Sequence, residues 1–213
     1  QHERGIVTSS PLIAVLDYGI GNLRSAQKAL QKVGADARLT SDASLIRDAH
    51  AAVLPGVGNF GACMNAVRES GMEDLVHERV DGGAPFLGIC VGMQMLFDSS
   101  EESPGVAGLG VVSGAVRYLP DTVKRPQMQW NRLSLRGSDP LFTGLPAESW
   151  MYFVHSLHCV PSDSSHVAAT TDYGCEVTAA VRRNNVFAVQ FHPEKSAADG
   201  LALLRNFVNA AGR

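Results

Sequence analysis

The residue best suited to chemistry is Cys90, which lies in the sequence GICVG at residues 88–92. Apolar residues 84–89 precede it and indicate a buried strand, and residues 93–97 indicate the start of a helix. A nucleophile between two glycines at a strand-to-helix turn matches the nucleophile-elbow pattern, with cysteine in place of serine. Small neighbours let the strained turn close, and a helix N-terminus favours the thiolate. Cys90 is therefore a candidate nucleophile, with a buried structural cysteine as the alternative.

A candidate base and a carboxylate stand together in the sequence FHPEKS at residues 191–196. His192 and Glu194 are two positions apart, so their side chains point to the same side of an extended segment. An imidazole near a thiol can act as its base, and a carboxylate on the other ring nitrogen fixes the tautomer. With Cys90, the pair predicts nucleophilic catalysis. A surface histidine beside a solvated glutamate is the alternative.

A glycine-rich segment, PGVGNFG at residues 55–61, follows an apolar strand predicted over residues 51–54. Glycine lets a backbone N–H approach a substrate without side-chain bulk, which is what an oxyanion site requires. The N–H of Val91, directly after the nucleophile, is a second candidate donor. Ordinary turn chemistry is the alternative interpretation of the loop.

The elements that must position these residues alternate between strands and helices in the first half of the chain. We predict strands over residues 12–16, 35–40, 51–54 and 84–89. We predict helices over residues 23–33, 43–49, 63–67 and 72–80. This alternation predicts an α/β fold whose mainly parallel sheet has helices on both faces. Active residues of such a sheet cluster at the carboxyl ends of its strands.

The second half of the chain predicts a β-rich antiparallel extension made of shorter pieces. The predicted strands cover residues 109–112, 115–119, 131–135, 150–156 and 158–160. A hairpin around residues 183–185 joins residues 177–181 to residues 186–190, and a closing helix covers residues 197–210.

Composition argues against several classes of protein. The 213 residues carry a formal net charge of −3, which provides no electrostatic basis for binding nucleic acid or an anionic membrane. Four cysteines without Cys-x-x-Cys spacing argue against a zinc site or a disulfide scaffold and favour a reducing, cytoplasmic setting. No metal or cofactor is expected. Residues 1–11 are interpreted as a disordered or expression-derived N-terminus, and residues 12–213 as a single domain.

In order and spacing, the segments at residues 55–58, 88–94 and 191–196 resemble those of the class I, triad-type glutamine amidotransferases. The resemblance extends over nearly the whole chain from residue 13. It implies a flavodoxin-like open sheet. It also implies hydrolysis of glutamine to glutamate and ammonia through a Cys-His-Glu triad and a thioester intermediate.

Within that family, three segments resemble the glutaminase subunits of imidazole glycerol phosphate synthase: DYGIGN at residues 17–22, PGVGNF at residues 55–60 and YFVHS at residues 152–156. The resemblance implies a heterodimer with a (β/α)8-barrel cyclase subunit. That partner would use the ammonia to form imidazole glycerol phosphate and AICAR in histidine biosynthesis.

The resemblance also implies roles for individual residues. The catalytic residues would be Cys90, His192 and Glu194. The oxyanion hole would use Val91, Val57 and Gly58, and substrate would contact Gly56, Gln94, Ser156 and Leu157. Gln94 lies one helical turn past the nucleophile and faces the same way. The partner interface or gate would include Asn22, Trp130, Tyr152 and Lys195.

Two departures from the family pattern affect local contacts. Residues 126–131 are PQMQWN where the family usually has PHMGWN. Leu157 follows Ser156, where the family often has an aromatic residue.

Three alternatives stay open at this stage. They are the amidotransferase subunit of an anthranilate, GMP or pyridoxal phosphate synthase, a cysteine peptidase or redox-sensing thiol protein of similar fold, and a non-catalytic binding subunit.

Overall fold

The computed structural model describes residues 9–21 and 23–213, and its first half alternates strands with helices as the sequence predicts. The strands are β1 (Leu12–Leu16), β2 (Asp36–Thr40), β3 (Ala51–Gly56) and β4 (Phe86–Cys90). The helices are α1 (Arg24–Lys32), α2 (Ala43–Asp48), α3 (Phe60–Glu69), α4 (Met72–Asp81) and α5 (Val91–Met95). Strands β3 and β4 are buried along their whole length, as expected for central strands covered on both faces.

The second half contains shorter strands and one long helix. The strands are β5 (Ser99–Ser100), β6 (Gly114–Tyr118), β7 (Gln127–Arg132), β8 (Ser134–Leu135), β9 (Trp150–His155), β10 (Leu157–Pro161), β11 (Val167–Asp172), β12 (Glu176–Arg183) and β13 (Val186–Val189). The closing helix is α6 (Ala197–Ala211), and a single 3-10 turn, Pro193–Lys195, links β13 to it. The apolar face of α6 buries Leu203, Leu204, Phe207 and Val208.

One eight-stranded sheet organises the molecule, in the order β2-β1-β3-β4-β13-β12-β11-β8. The first five of these strands are parallel, and β12, β11 and β8 continue the sheet antiparallel. The predicted fold class, a mainly parallel sheet with an antiparallel extension, is therefore confirmed. Because β3, β4 and β13 are adjacent and parallel, their carboxyl ends lie along one edge of the sheet.

Two small sheets flank this edge. Strands β10, β6 and β5 form one of them, and the antiparallel pair β7–β9 forms the other. The β7–β9 pair exposes several large side chains, among them Met128, Trp130 and Trp150. Its opposite side buries Met151 and Phe153 in the apolar core.

Several sequence-based boundaries need correction. The strand predicted over residues 109–112 is wrong: Leu109 and Val112 bond through their backbone N–H groups to carbonyls at the end of α5. Their side chains are apolar because they are buried in a loop. The strand predicted over residues 131–135 is divided between β7 and β8, and β11 was not predicted because its VAATTD sequence carries no strong apolar alternation.

The structure describes only part of the segment predicted as a disordered or expression-derived N-terminus. Residues 1–8 lie outside the described residues, and the division into residues 1–11 and a domain of residues 12–213 stays a prediction. Across residues 9–21 and 23–213, no helix combines the length and apolar character that crossing a bilayer requires.

Candidate active site

The backbone at Cys90 forms the elbow that the sequence predicts. Cys90 ends β4 with φ of 56° and ψ of −115°, a left-handed conformation that is strained for a residue with a side chain, and α5 begins at the next residue. A Cβ added to Gly92 would lie 1.8 Å from the carbonyl oxygen of Leu54, so glycine is required where the elbow packs on β3. A Cβ added to Gly88 would lie 3.0 Å from the carbonyl oxygen of Gly92. The two glycines therefore let the turn close.

The register of the central sheet determines what lies beside the nucleophile. On one side, Gly56 of β3 pairs with Cys90. On the other side, Val189 of β13 pairs with Ile89, so the next residue, Gln190, lies beside Cys90. The base predicted from the sequence, His192, follows two residues later at the same edge of the sheet.

His192 and Glu194 form the pair that the sequence predicts. The Nδ1 atom of His192 lies 2.7 Å from Oε1 of Glu194, and both side chains are almost fully buried. Because Nδ1 faces the carboxylate, Nε2 is the ring nitrogen left available to the thiol of Cys90, which lines the same cavity as His192. Burial by itself lowers the pKa of His192, but the hydrogen bonds and negative charges of Cys90 and Glu194 outweigh it and raise the pKa to about 10.

Backbone contacts from β9 hold this catalytic segment in position. The N–H of His192 donates to the carbonyl of Tyr152 at 3.0 Å, and the N–H of Tyr152 donates to Oγ of Ser196 at 3.0 Å. Ser196 in turn donates to the carbonyl of His192 at 2.6 Å and is buried. Sequence reasoning assigned Ser196 no role, although it closes the FHPEKS segment.

A cavity of about 310 Å³ opens between the elbow and the catalytic segment. Its walls contain Val57, Gly58, Cys90, Val91, Gln94, Glu102, Pro126, Val154, His155, Ser156, Leu157 and His192. The structure thus brings together most of the residues predicted for catalysis, the oxyanion hole and substrate binding. Two of them lie behind the wall: Glu194 is behind the imidazole, and Gly56 packs on the elbow, where an added Cβ would lie 2.9 Å from the N atom of Gly92.

Two buried glutamines contact each other beside the cavity, and one of them, Gln94, lines it. Gln94 donates from Nε2 to Oε1 of Gln190 at 3.1 Å and to the carbonyl of Leu157 at 3.4 Å. Gln190 is fully buried and donates from its own Nε2 to Sγ of Cys90 at 3.8 Å. Sequence reasoning missed Gln190. The available signal was a polar residue at the end of an apolar strand, two positions before the candidate base.

A second buried histidine, His155, also lines the cavity. Its Nδ1 lies 2.7 Å from the carbonyl oxygen of Leu157, and its Nε2 lies 2.7 Å from Oε1 of Gln127. Burial lowers the pKa of His155 to about 4, so the ring is neutral near pH 7. A neutral ring donates from one nitrogen only, so Nδ1 donates to Leu157. The amide of Gln127, whose Nε2 has no other partner among the described residues, then turns to donate from Nε2 to the ring.

Three of the four residues predicted for a partner interface or gate, namely Trp130, Tyr152 and Lys195, lie outside the cavity. Trp130 and Tyr152 are opposite each other in the β7–β9 pair, with ring centroids 6.1 Å apart, and Trp130 is exposed. Lys195 is exposed beside Glu194. Asn22 lies outside the described residues. Tyr152 therefore connects this surface to the base, because its carbonyl accepts the N–H of His192.

The chain is similar to known proteins over nearly its whole length. The family model described as glutamine amidotransferase class-I matches residues 14–211. The chain is 48% identical over 204 residues to the imidazole glycerol phosphate synthase subunit HisH of Deinococcus radiodurans, covering 94% of each chain. It is 46% identical over 203 residues to the subunit of the same name from Syntrophotalea carbinolica, covering 92% of this chain and 98% of that one.

Solved structures share the fold. A crystal structure of a glutamine amidotransferase has a TM-score of 0.75 and 25% identity over 94% of this chain and 99% of its own. The structure of PurLQS from Thermotoga maritima has a TM-score of 0.77 and 22% identity over 94% of this chain and 98% of its own, and it supports the fold alone. The chain therefore belongs to the class I glutamine amidotransferase family, among the HisH subunits of imidazole glycerol phosphate synthase.

Proposed function

We propose that this chain hydrolyses glutamine to glutamate and ammonia as the glutaminase subunit of an imidazole glycerol phosphate synthase. The observation that carries the proposal is the meeting of a strained, glycine-flanked Cys90 with the His192–Glu194 pair at one cavity. A thiol beside an imidazole that a carboxylate orients is suited to acyl transfer from an amide.

In the first half of the reaction, the sulfur of Cys90 attacks the side-chain amide carbon of glutamine, and the carbonyl oxygen becomes an oxyanion. Backbone N–H groups of Val91 and of the loop at Val57 and Gly58 are the proposed donors to that oxygen. The protonated ring of His192 then gives its proton to the amide nitrogen. The carbon–nitrogen bond breaks, ammonia leaves, and a thioester remains on the sulfur.

In the second half, His192 takes a proton from water, and the resulting hydroxide attacks the thioester carbon. The carbon–sulfur bond breaks, glutamate leaves, and the sulfur returns to its starting state with the proton held by His192. Glu194 stabilises the protonated ring and keeps Nε2 directed at the sulfur. The side chain of Gln94 and the backbone of Ser156 and Leu157 are proposed to contact the bound glutamine, with Gly56 supporting the elbow.

The proposed partner is a (β/α)8-barrel cyclase subunit, with which this chain would form a heterodimer in the cytoplasm. The relatives' printed name, a subunit of a synthase, supports an assembly. The exposed Trp130, with Tyr152 and Lys195 beside the catalytic segment, is the proposed interface, and Asn22 is added by resemblance alone. Ammonia would pass to the cyclase, which forms imidazole glycerol phosphate and AICAR.

The proposal is tested by replacing the nucleophile with Cys90→Ala and measuring glutamate release with and without the cyclase. We expect glutamine hydrolysis to fall below detection, while synthesis from added ammonia in the complex is kept. Cys175→Ala is the matched control, because that partly exposed thiol lies outside the cavity and should leave hydrolysis unchanged. Glutamate release that survives Cys90→Ala, or peptide cleavage without glutamine cleavage, would contradict the proposal.

A further inference from the structure

We propose that Gln190 is a positioning residue for the nucleophile: its amide N–H holds the sulfur of Cys90, and Gln94 fixes the orientation of that amide. The proposal rests on the role of Cys90 in the proposed function. Gln190 lies between the apolar strand β13 and the base His192. In this role it would hold the sulfur in position before glutamine binds.

The first support is the position of Gln190 in the sheet. Val189 pairs with Ile89 in the parallel register of β13 and β4, so Gln190 lies directly beside Cys90. The side chain of Gln190 is fully buried, and its Nε2 lies 3.8 Å from Sγ, within hydrogen-bonding distance for sulfur. A buried amide needs partners for both its oxygen and its nitrogen, and here the sulfur is the partner of the nitrogen.

The second support is the fixed orientation of the amide. Nε2 of Gln94 donates to Oε1 of Gln190 at 3.1 Å, so the oxygen of Gln190 is already accepting a proton. The nitrogen must then face the other way, toward Sγ of Cys90. An amide turned by half a rotation would place two donors against each other, which opposes such a turn.

The third support is the alternation of the segment from Gln190 to His192. Side chains two apart in an extended segment share a side, so the imidazole of His192, which lines the cavity with Cys90, lies on the side of the Gln190 amide. Phe191 points away into the core, where it is fully buried and packs edge-to-face on Phe153 with centroids 5.6 Å apart. One anchored segment therefore places the neutral donor Gln190 and the base His192 on the same side.

A donor on the sulfur favours thiolate over thiol, because a hydrogen bond to a charged acceptor is stronger than one to a neutral acceptor. The titratable groups that face Cys90 or the cavity from the surrounding elements are His192, Tyr18, Cys63, Cys159, His155 and Glu102. The amide of Gln190 adds a donor that keeps its proton throughout the working pH range.

Alkylation of Cys90 by iodoacetamide from about pH 5 to about pH 10 tests the proposal, because the thiolate is the reactive form. Peptide mass spectrometry separates Cys90 from the other three thiols. Gln190→Met keeps the shape of the side chain and removes the donor. We expect the midpoint of alkylation to rise by about one pH unit, so that about tenfold less thiolate is present below it.

Gln190→Glu provides an independent variant, because its carboxylate can still accept from Gln94 but places negative charge near the sulfur. We expect its midpoint to rise further than that of Gln190→Met. Gln127→Met is the control: it also removes a fully buried amide, but that amide contacts His155 and leaves the sulfur alone. Its midpoint should match that of the unchanged protein.

Equal midpoints in the unchanged protein and in either Gln190 variant would overturn the proposal, as would slower alkylation by the same factor at every pH. Circular dichroism checks folding, and the glutamate variant carries the test if the methionine variant does not fold. Because no glutamine is present, a negative result here leaves the Cys90→Ala test intact, so the two proposals fail separately.

Discussion

Two histidines in the walls of one cavity, His192 and His155, have opposite ionisation behaviour. They are 3% and 6% exposed, so burial penalises the charged form of both rings. The pKa of His192 is nevertheless raised to about 10, whereas that of His155 is lowered to about 4. Similar burial therefore does not explain the difference.

The partners of the two rings explain it. The groups that raise the pKa of His192 are Cys90 and Glu194, both of which can carry negative charge and stabilise the protonated ring. His155 contacts a backbone carbonyl and the amide of Gln127, which are neutral. The comparison teaches that the groups around a buried histidine decide whether it carries a proton or serves as a neutral hydrogen-bonding support.

The largest expected effect comes from removing the charge behind the base. Glu194→Gln keeps a side chain of the same size but gives Nδ1 of His192 a neutral partner, so the protonated ring loses stabilisation. We expect glutaminase turnover in the complex to fall by about 10⁴-fold, the loss that follows when a triad carboxylate is replaced by its amide. Steady-state kinetics of glutamate release measures the change.

The matched control for this variant is Glu78→Gln, on an exposed carboxylate of α4 that pairs with Arg47 outside the cavity. It should leave turnover unchanged, because an exposed ion pair contributes little. If the turnover of Glu194→Gln lies within about twofold of that of the unchanged enzyme, the charge of the carboxylate does not distinguish the two histidines.

The second expected effect is acid destabilisation caused by His155. Its pKa is about 4 in the folded protein and 6.5 in the unfolded chain, so the unfolded chain binds more protons between these values. Stability from this residue is complete above pH 6.5 and is lost as the pH falls toward 4, by up to about 3 kcal/mol. Urea unfolding at several pH values measures the slope.

His155→Gln should reduce the loss of stability at acidic pH, since glutamine does not titrate. His77→Gln, on a partly exposed residue of α4, is the control and should keep the slope of the unchanged protein. If the free energy of unfolding of His155→Gln falls equally steeply at acidic pH, this ring is not held neutral by its surroundings.

The smallest expected effect lies at alkaline pH and involves His192. Its folded pKa is raised above the unfolded value, so its contribution to stability is complete below pH 6.5 and is lost as the pH rises toward about 10. Cys90→Ala removes one of the two partners that raise this pKa. We expect the pKa to fall and the alkaline loss of stability to shrink by on the order of 1–2 kcal/mol.

NMR titration of the imidazole resonances measures both histidines in one experiment. The resonance of His192 should move to a lower midpoint in Cys90→Ala, whereas that of His155 should stay near its original midpoint. If the titration midpoint of His192 is unchanged in Cys90→Ala, Cys90 does not stabilise the protonated ring.

Local patterns predicted the parallel half of the fold well, because apolar strands and amphipathic helices there follow their own periodicities. The strand predicted over residues 12–16 and the helix over residues 72–80 match β1 and α4 closely. The pattern was misleading over residues 109–112, where apolar side chains are buried in a loop. Burial alone does not distinguish a strand from a packed loop.

Residue type and spacing along the chain were enough to identify Cys90, His192 and Glu194 as candidates for chemistry. The contact of Gln190 with the thiol, one hundred positions away in the chain, and the neutral partners of His155 became evident only in the folded molecule. Both facts depend on strand register and on which distant groups share a buried space. Packing of the whole sheet sets these features, and no local pattern encodes them.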